Sequence, residues 1–252
     1  MKYYASVSFG KDSLAMLLYI LENGLPLDEV VFYDTGMEFQ AIYYIRDRVK
    51  VLLKEYGVKY TELRPQRSFR YDMLYRPKTK KDGRVAYGDG WCGGPCRWGT
   101  VAKQRALNQY IGSNHTYVGI AADEERRLLN LEEHKSSPIA EAGMTESDCL
   151  QYCHEHGYYW YECGVELYDV LDRVSCWCCR NKNLKELRNM YAFLPQYWSK
   201  LRDLQLQIEE PMKGISVFEL EKRFEFEKQW QSKGLSITSK DFHQQLKEVL
   251  NV

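Results

Sequence analysis

The alternation of strand and helix signals at the N-terminal end leaves this chain few folds. Lys2 to Val7 mixes β-branched and aromatic residues and stops at Ser8, after which Leu14, Leu17, Leu18 and Leu21 recur at helical spacing. Glu29 to Tyr33 reads as a buried strand and Asp34-Thr35-Gly36 as a turn. Phe39 to Tyr56 reads as a helix with Ile42, Ile45, Val49 and Leu52 on one face, ended by Gly57, and Val58 to Leu63 as a third strand. Strands joined through helices cross over right-handedly and pair in parallel. The expected fold is an α/β doubly wound parallel sheet with a helical C-terminal appendage.

Farther along, Arg64 to Trp91 shows no sustained period. It carries Pro65, Pro77, lysines at 78, 80 and 81, and glycines at 83, 88 and 90. We read 64–90 as a long mobile loop that closes over an acceptor. Thr100 to Ile111 has helical spacing, and Thr116 to Ile120 is strand-like and runs into the charged stretch Asp123 to Arg127. Thr145 with Asp148 makes a capping box for a helix reaching about His156, with Gly157 as its stop. Beyond Asn181 the helical stretches are Leu184 to Met190, Gln196 to Ile208 and Val217 to Gln231, and Ser239 is the N-cap of a last helix. Residues 1–190 are expected as a nucleotide-binding domain that includes the long loop and the cysteine-rich segments, with 191–252 as a helical region.

The chain has 252 residues with 35 Lys+Arg against 35 Asp+Glu, so it lacks the global basic field of a DNA-coating protein. No stretch approaches the length of an apolar membrane span, and the N-terminus lacks the pattern of a signal peptide. A cytoplasmic location with no membrane partner is expected. In a reducing compartment the 8 cysteines point to metal or redox chemistry rather than to a disulfide framework.

The strongest local signal is Ser8-Phe9-Gly10-Lys11-Asp12-Ser13, between the first strand and the first helix. A loop in that position aims backbone N–H groups and a helix N-terminus at an anion. Gly10 permits close approach, Ser8 and Ser13 offer hydroxyls, and Lys11 adds charge. The spacing is neither the Walker A loop nor the dinucleotide fingerprint. Parallel strands deliver their C-terminal ends to one edge, so Asp34 to Glu38 and Asp123 to Arg127 are expected beside this loop. There Asp34, Glu38, Asp123 and Glu124 would hold magnesium or orient ribose, and Arg126 or Arg127 would neutralise a phosphate or sulfate.

The loop resembles the PP-loop, usually Ser-Gly-Gly-x-Asp-Ser, of the adenine-nucleotide alpha-hydrolase-like superfamily, with Phe9 in place of the first glycine. Within it, Asp34-Thr35-Gly36-Met37-Glu38-Phe39 and Gly119 to Arg127 are similar to motifs of the phosphoadenosine phosphosulfate reductase family, over about residues 2–190. The resemblance implies a parallel sheet with helices on both faces, and either ATP cleaved between its α and β phosphates or a related adenine sulfonucleotide bound. It implies catalytic roles for Lys11, Asp12 and Asp123. Nucleotide contacts are implied at Ser8, Gly10, Lys11, Asp12, Ser13, Asp34, Glu38, Glu124, Arg126 and Arg127.

The cysteines fall into Cys92 with Cys96, Cys149 with Cys153, lone Cys163, and Cys176, Cys178 and Cys179. Cys92 and Cys96 lie in a Gly- and Pro-rich turn, Cys176 and Cys179 have short ligand spacing, and the four would close one metal site with Cys178 as a substitute ligand. Cys149 and Cys153, one helical turn apart, read as core, although His154 and His156 keep a zinc alternative open there. Family members with a similar Cys-Trp-x-Cys segment imply a [4Fe-4S] cluster on the four, with zinc as the alternative. The Glu162-Cys163-Gly164 match to the catalytic segment of assimilatory reductases reads as chance. Ser239 to Val252 holds no cysteine, which counts against a simple reductase.

The function expected is an ATP pyrophosphatase that adenylylates an acceptor for sulfur transfer from a donor protein. The acceptor would be nucleic acid, met by Arg97, Lys103, Arg105, Arg180, Lys182 and Lys185 interleaved with Trp91, Trp98 and Trp177. The alternatives are a sulfonucleotide reductase and a nucleotide-binding regulatory module without turnover.

Overall fold

The computed structural model describes residues 1–92 and 96–250, apart from the Arg97 side chain. In chain order β1 (Tyr3–Val7), α1 (Lys11–Glu22), β2 (Glu29–Tyr33), α2 (Gln40–Glu55) and β3 (Lys59–Leu63) lie close to the expected bounds. The segment read as an aperiodic loop instead holds α3 (Phe69–Leu74) and a hairpin of β4 (Pro77–Thr79) and β5 (Val85–Tyr87). A π-helical stretch, Arg97–Ala102, runs into α4 (Lys103–Ile111), followed by β6 (His115–Val118), α5 (Glu125–Leu128), β7 (Lys135–Ser136), α6 (Pro138–Glu141) and α7 (Glu146–Glu155). A hairpin of β8 (Tyr161–Glu162) and β9 (Val165–Glu166) leads to α8 (Leu167–Val170), α9 (Leu184–Phe193), α10 (Pro195–Gln205), α11 (Val217–Ser232) and α12 (Lys240–Leu250).

Two compact units share these elements and interleave along the sequence. One comprises Met1–Phe69, Pro95–Tyr168 and Arg173–Trp177, and the other Arg70–Gly94, Asp169–Asp172 and Cys178–Val252. The first is built on a five-stranded sheet of order β3-β2-β1-β6-β7. All of its pairings are parallel. All five residues of β2 are buried, as strands covered on both faces require. The apolar stripe of α1, Leu14, Leu17, Leu18 and Leu21, is buried as its spacing predicts.

Some local devices of this unit come from remote residues. Helix α2 has no side-chain cap at its own N-cap, Phe39. The buried Glu162 fills that role, its Oε1 accepting from the Ala41 N–H at 2.7 Å. Glu162 can reach it because Cys163 and Gly164, with φ of 51° and 80°, turn the β8–β9 hairpin tightly. The Glu-Cys-Gly segment is thus a hairpin turn with a capping carboxylate. The predicted capping box at Thr145 and Asp148 forms, and Cys149 and Cys153 behind it are fully buried. Burial pushes the Cys149 thiol up to about 12, so both behave as small apolar core residues.

The second unit is mostly helical. Asn183 with Glu186, and Ser216 with Glu219, form capping boxes on α9 and α11. Ser239 Oγ accepts from the Phe242 N–H at 3.1 Å, as an N-cap should. Glu227 of α11, 1% exposed, joins Arg188 of α9 at 2.5 Å and Arg223 at 2.8 Å. Among the described residues no helix is long and apolar enough to cross a membrane.

Candidate functional site

In the first unit the chain moves one way across the sheet from β1 to β3 and then returns to the other side of β1 with β6. The direction therefore switches between β1 and β6, and open parallel sheets leave their crevice at that point. A cleft of about 250 Å³ is found there. Its walls include Ser8 and Ser13 of the loop, Gly119 after β6, Lys103 of α4, and Arg127. No Asp or Glu lines it.

The loop is shaped by its own residues and by its neighbours. Ser13 Oγ accepts from the Ser8 N–H and donates to the Gly10 carbonyl, each at 3.1 Å, so the chain folds back on itself. Helix α1 begins after Gly10, which has no side chain to cap it; the Tyr168 hydroxyl instead accepts from the Lys11 N–H at 2.8 Å. Phe9 has a φ of 59°. This is the left-handed conformation that favours the glycine usual in this motif, and a β-carbon there costs roughly 1–2 kcal/mol. Packing offsets the cost: Phe9 is fully buried, its ring centroid 5.0 Å from that of Phe32, and its carbonyl accepts from Trp160 Nε1 at 2.8 Å. A β-carbon on Gly119 would stand 2.6 Å from Ser13 N and Cα, so only glycine fits against the loop.

The charged candidates are distributed differently from expectation. Lys11 is buried, and its Nζ donates to Asp12 at 2.8 Å and to Glu146 at 2.7 Å. Burial raises the Asp12 carboxyl, against the lowering pull of Lys11. Asp123 Oδ1 accepts from the Glu146 N–H at 3.0 Å, at the start of α7. Glu124 pairs with Arg127 at 2.6 Å, while Arg126 sits exposed in α5. At the end of β2, Asp34 accepts from the Gly36 N–H and the Tyr43 hydroxyl, both at 2.8 Å, and Glu38 accepts from the Thr35 hydroxyl at 2.8 Å. Among the described residues no group of three or more His, Cys, Asp or Glu is placed to hold a metal ion.

Two thiols of the proposed metal set flank Gly99 in the first unit. A β-carbon on Gly99 would lie 3.6 Å from Cys96 Sγ and 3.8 Å from Cys176 Sγ. Cys96 Sγ accepts from the Gly99 N–H at 3.1 Å, and the Cys176 thiol donates to Glu38 at 3.8 Å. Because Gly99 also lines the cleft, this dithiol adjoins the candidate nucleotide site. Cys92 and Cys179 belong to the second unit, where Cys178 is fully buried. Gly93, Gly94 and Pro95 of the predicted turn lie outside the described residues, as does the Arg97 side chain.

The tryptophans do not form a stacking surface. Trp91, Trp98 and Trp177 are 5%, 8% and 8% exposed, and Trp91 Nε1 donates to the Glu210 carbonyl at 2.8 Å. Lys182 is buried as well, 3.9 Å from Glu186, while Lys185 pairs with Asp172 at 3.2 Å. Aromatic residues between basic ones had suggested a surface, but large rings near a core are usually recruited into it. Conversely, sequence reasoning missed Glu146 as a partner of Lys11, and Tyr168, whose hydroxyl accepts from the Lys11 N–H at 2.8 Å. Both lie too far along the chain for any local pattern to connect them with the loop.

Among known proteins, an uncharacterized protein of Methanocaldococcus jannaschii is 26% identical over 213 residues, 77% of this chain and 39% of that protein. This chain thus spans well under half the length of that curated relative. The U34-tRNA thiolase NcsA from Methanococcus maripaludis, solved with its [4Fe-4S] cluster, is similar over 95% of this chain and 76% of its own, at 14% identity and a TM-score of 0.42. Residues 2–141, more than half of the chain, match the phosphoadenosine phosphosulfate reductase domain. That span runs from β1 through α6 and holds the loop, the Asp34-Thr35-Gly36 turn and Gly119. The chain belongs to the phosphoadenosine phosphosulfate reductase domain family.

Proposed function

We propose that the protein is an adenine-nucleotide-dependent enzyme, an ATP pyrophosphatase that activates an acceptor for sulfur transfer. The observation that carries this reading is the cleft at the switch point, with no Asp or Glu among its described lining residues, Ser8 and Ser13 of the loop in its wall, and two thiols beside its Gly99. An acceptor oxygen attacks the α-phosphorus of ATP and the bond to the bridging β-oxygen breaks. Pyrophosphate leaves with the electron pair of that bond, and the magnesium that would accompany ATP would offset its charge. A sulfur nucleophile from a donor protein then displaces AMP, which departs with the electron pair of the acceptor's C–O bond. The phosphates lie toward Ser8, Ser13 and the first turn of α1.

Nucleic acid is the acceptor class this reading favours. Between Arg70 and Gly90 six Lys and Arg stand against three Asp in a chain that is otherwise balanced, and Tyr75 and Tyr87 there are 54% and 70% exposed. Chromatography of the nucleotide products, with and without tRNA or DNA, should yield AMP and pyrophosphate, more of both with the right acceptor. ADP and phosphate alone would sink the mechanism.

A second reading is favoured by the dithiol at Gly99. One thiolate attacks the sulfur of an adenylyl sulfate, releasing the nucleotide and leaving an S-sulfonate. The second thiol displaces sulfite and closes a disulfide, which an external thiol must reduce. Sulfite formed from adenylyl sulfate, with no pyrophosphate from ATP, would select it.

The sequence spacing also supports Cys92, Cys96, Cys176 and Cys179 as ligands of one [4Fe-4S] or zinc centre. The described residues gather two of these thiols and no set of three, so the chemistry above is assigned to the nucleotide and the dithiol. Serine at each of the four should lower the iron or zinc bound per chain, whereas Cys149→Ser and Cys153→Ser should leave it unchanged. The reverse pattern in metal analysis of anaerobically purified protein would overturn the partition.

A further inference from the structure

The PP-loop motif offers Lys11 as the cation for the nucleotide, but the structure commits that lysine elsewhere. Its ammonium is 8% exposed at the residue level and donates to two carboxylates, Asp12 and Glu146, at 2.8 and 2.7 Å. Its charge is matched within the fold, and two of its three N–H directions are used. The cleft has other basic side chains on its lining. Arg127 is held by both oxygens of Glu124, at 2.6 and 2.7 Å. Lys135 is 2.8 Å from Glu132, and His134 is 3.4 Å from the same residue.

Lys103 is the exception among the described residues. It lines the cleft together with Ser8 and Ser13, and no carboxylate stands within ion-pair distance of it. It begins α4, directly after the π-helical stretch that carries Gly99, and π-helical turns concentrate at functional positions. Burial pushes the Glu38 carboxyl up and the positive charge of Lys103 opposes that push, which places Lys103 close to the end of β2 as well. A cation with no carboxylate in ion-pair contact, in a cleft with no Asp or Glu among its described lining residues, favours an anionic ligand there.

We propose that Lys103, reaching in from α4, is the side-chain cation that contacts the phosphate chain of the nucleotide, and that Lys11 is a positioning residue that ties the start of α1 to α7. The inference rests on the adenine-nucleotide reading above. It divides the work between two lysines: one shapes the loop, and the other meets the ligand from α4. A charge-assisted contact of this kind responds to the charge of the ligand and is indifferent to its base.

Calorimetric titration of the full chain with ATP, pyrophosphate and adenosine separates the two roles. Lys103→Ala and Lys103→Gln should raise the Kd for ATP and for pyrophosphate roughly 10- to 100-fold while the adenosine affinity stays as in wild type. Lys103→Arg should recover most of the loss. Lys11→Ala should lose less ATP affinity than Lys103→Ala and more melting temperature, because it strands Asp12 and Glu146. Equal ATP affinity in wild type and both neutral Lys103 variants would overturn the assignment. So would a larger loss in a folded Lys11→Ala. Wild-type protein that binds neither ATP nor an adenylyl sulfate would remove the parent reading, and with it this one, before any variant is compared.

Discussion

Gly119→Ala is expected to cripple nucleotide-dependent activity by about 100-fold, the order of loss that follows when a reacting group is displaced by about an ångström. The added methyl would stand 2.6 Å from Ser13 N and Cα and 2.8 Å from the Asp12 carbonyl carbon, all main-chain atoms. No rotamer change relieves such a contact. Either the chain after β6 or the loop must move. Crowding of this kind also costs stability, about 1–3 kcal/mol. Activity assays paired with thermal melts check both effects. Because the clash is with backbone, Ser13→Ala added to Gly119→Ala should restore nothing. Wild-type ATP affinity in Gly119→Ala would show that the loop is not the phosphate site.

Glu227→Ala should lower the stability of the second unit by about 3 kcal/mol, near the low end of what removing one partner of a buried ion pair costs. Glu227 is 1% exposed and both its oxygens are engaged, by Arg188 at 2.5 Å and Arg223 at 2.8 Å. The Arg188 and Arg223 side chains are 31% and 21% exposed, so water partly compensates them, and this places the cost below the upper range. For a chain of this length the melting temperature should fall by about 6–12 °C, at about 2–4 °C per kcal/mol. Glu227→Gln keeps the shape and loses the charge, and is expected to cost roughly half as much. The change lies in α9 and α11, far along the chain from the nucleotide loop. A variant that melts like wild type would show that the triad contributes little.

The βα alternation of the first unit was legible because parallel strands covered on both faces must be apolar throughout, and amphipathic helices must repeat at helical spacing. Hence β1, α1, β2, α2 and β3 could be placed from Lys2 to Leu63 alone. The caps at Thr145 and Ser239 were legible for a similar reason, since a cap is a contact between residues a few positions apart. The hairpin β4–β5 was not, because its strands have three residues each and three residues carry no period. The two-residue edge strand β7 escaped on the same ground. Nor could the interleaving of the two units be read from a linear pattern.

At the site the same division holds. The chain by itself determined the loop proposed to bind an anion, because Ser8 to Ser13 and the helix behind it are contiguous and a helix N-terminus needs no remote partner to attract charge. It also determined that Cys149 and Cys153 pack in a core, through their helical spacing. Tertiary structure alone decided which lysine faces the cleft. Lys11 and Lys103 are equally basic in sequence, and the arrival of Glu146 from α7 beside Asp12 is what gives Lys11 two carboxylate partners. It likewise decided that Trp91, Trp98 and Trp177 are buried, and that Cys96 and Cys176 both lie beside Gly99. Local pattern records what a residue's near neighbours in the chain require, whereas charge compensation and burial are set by whichever distant side chains the fold brings alongside.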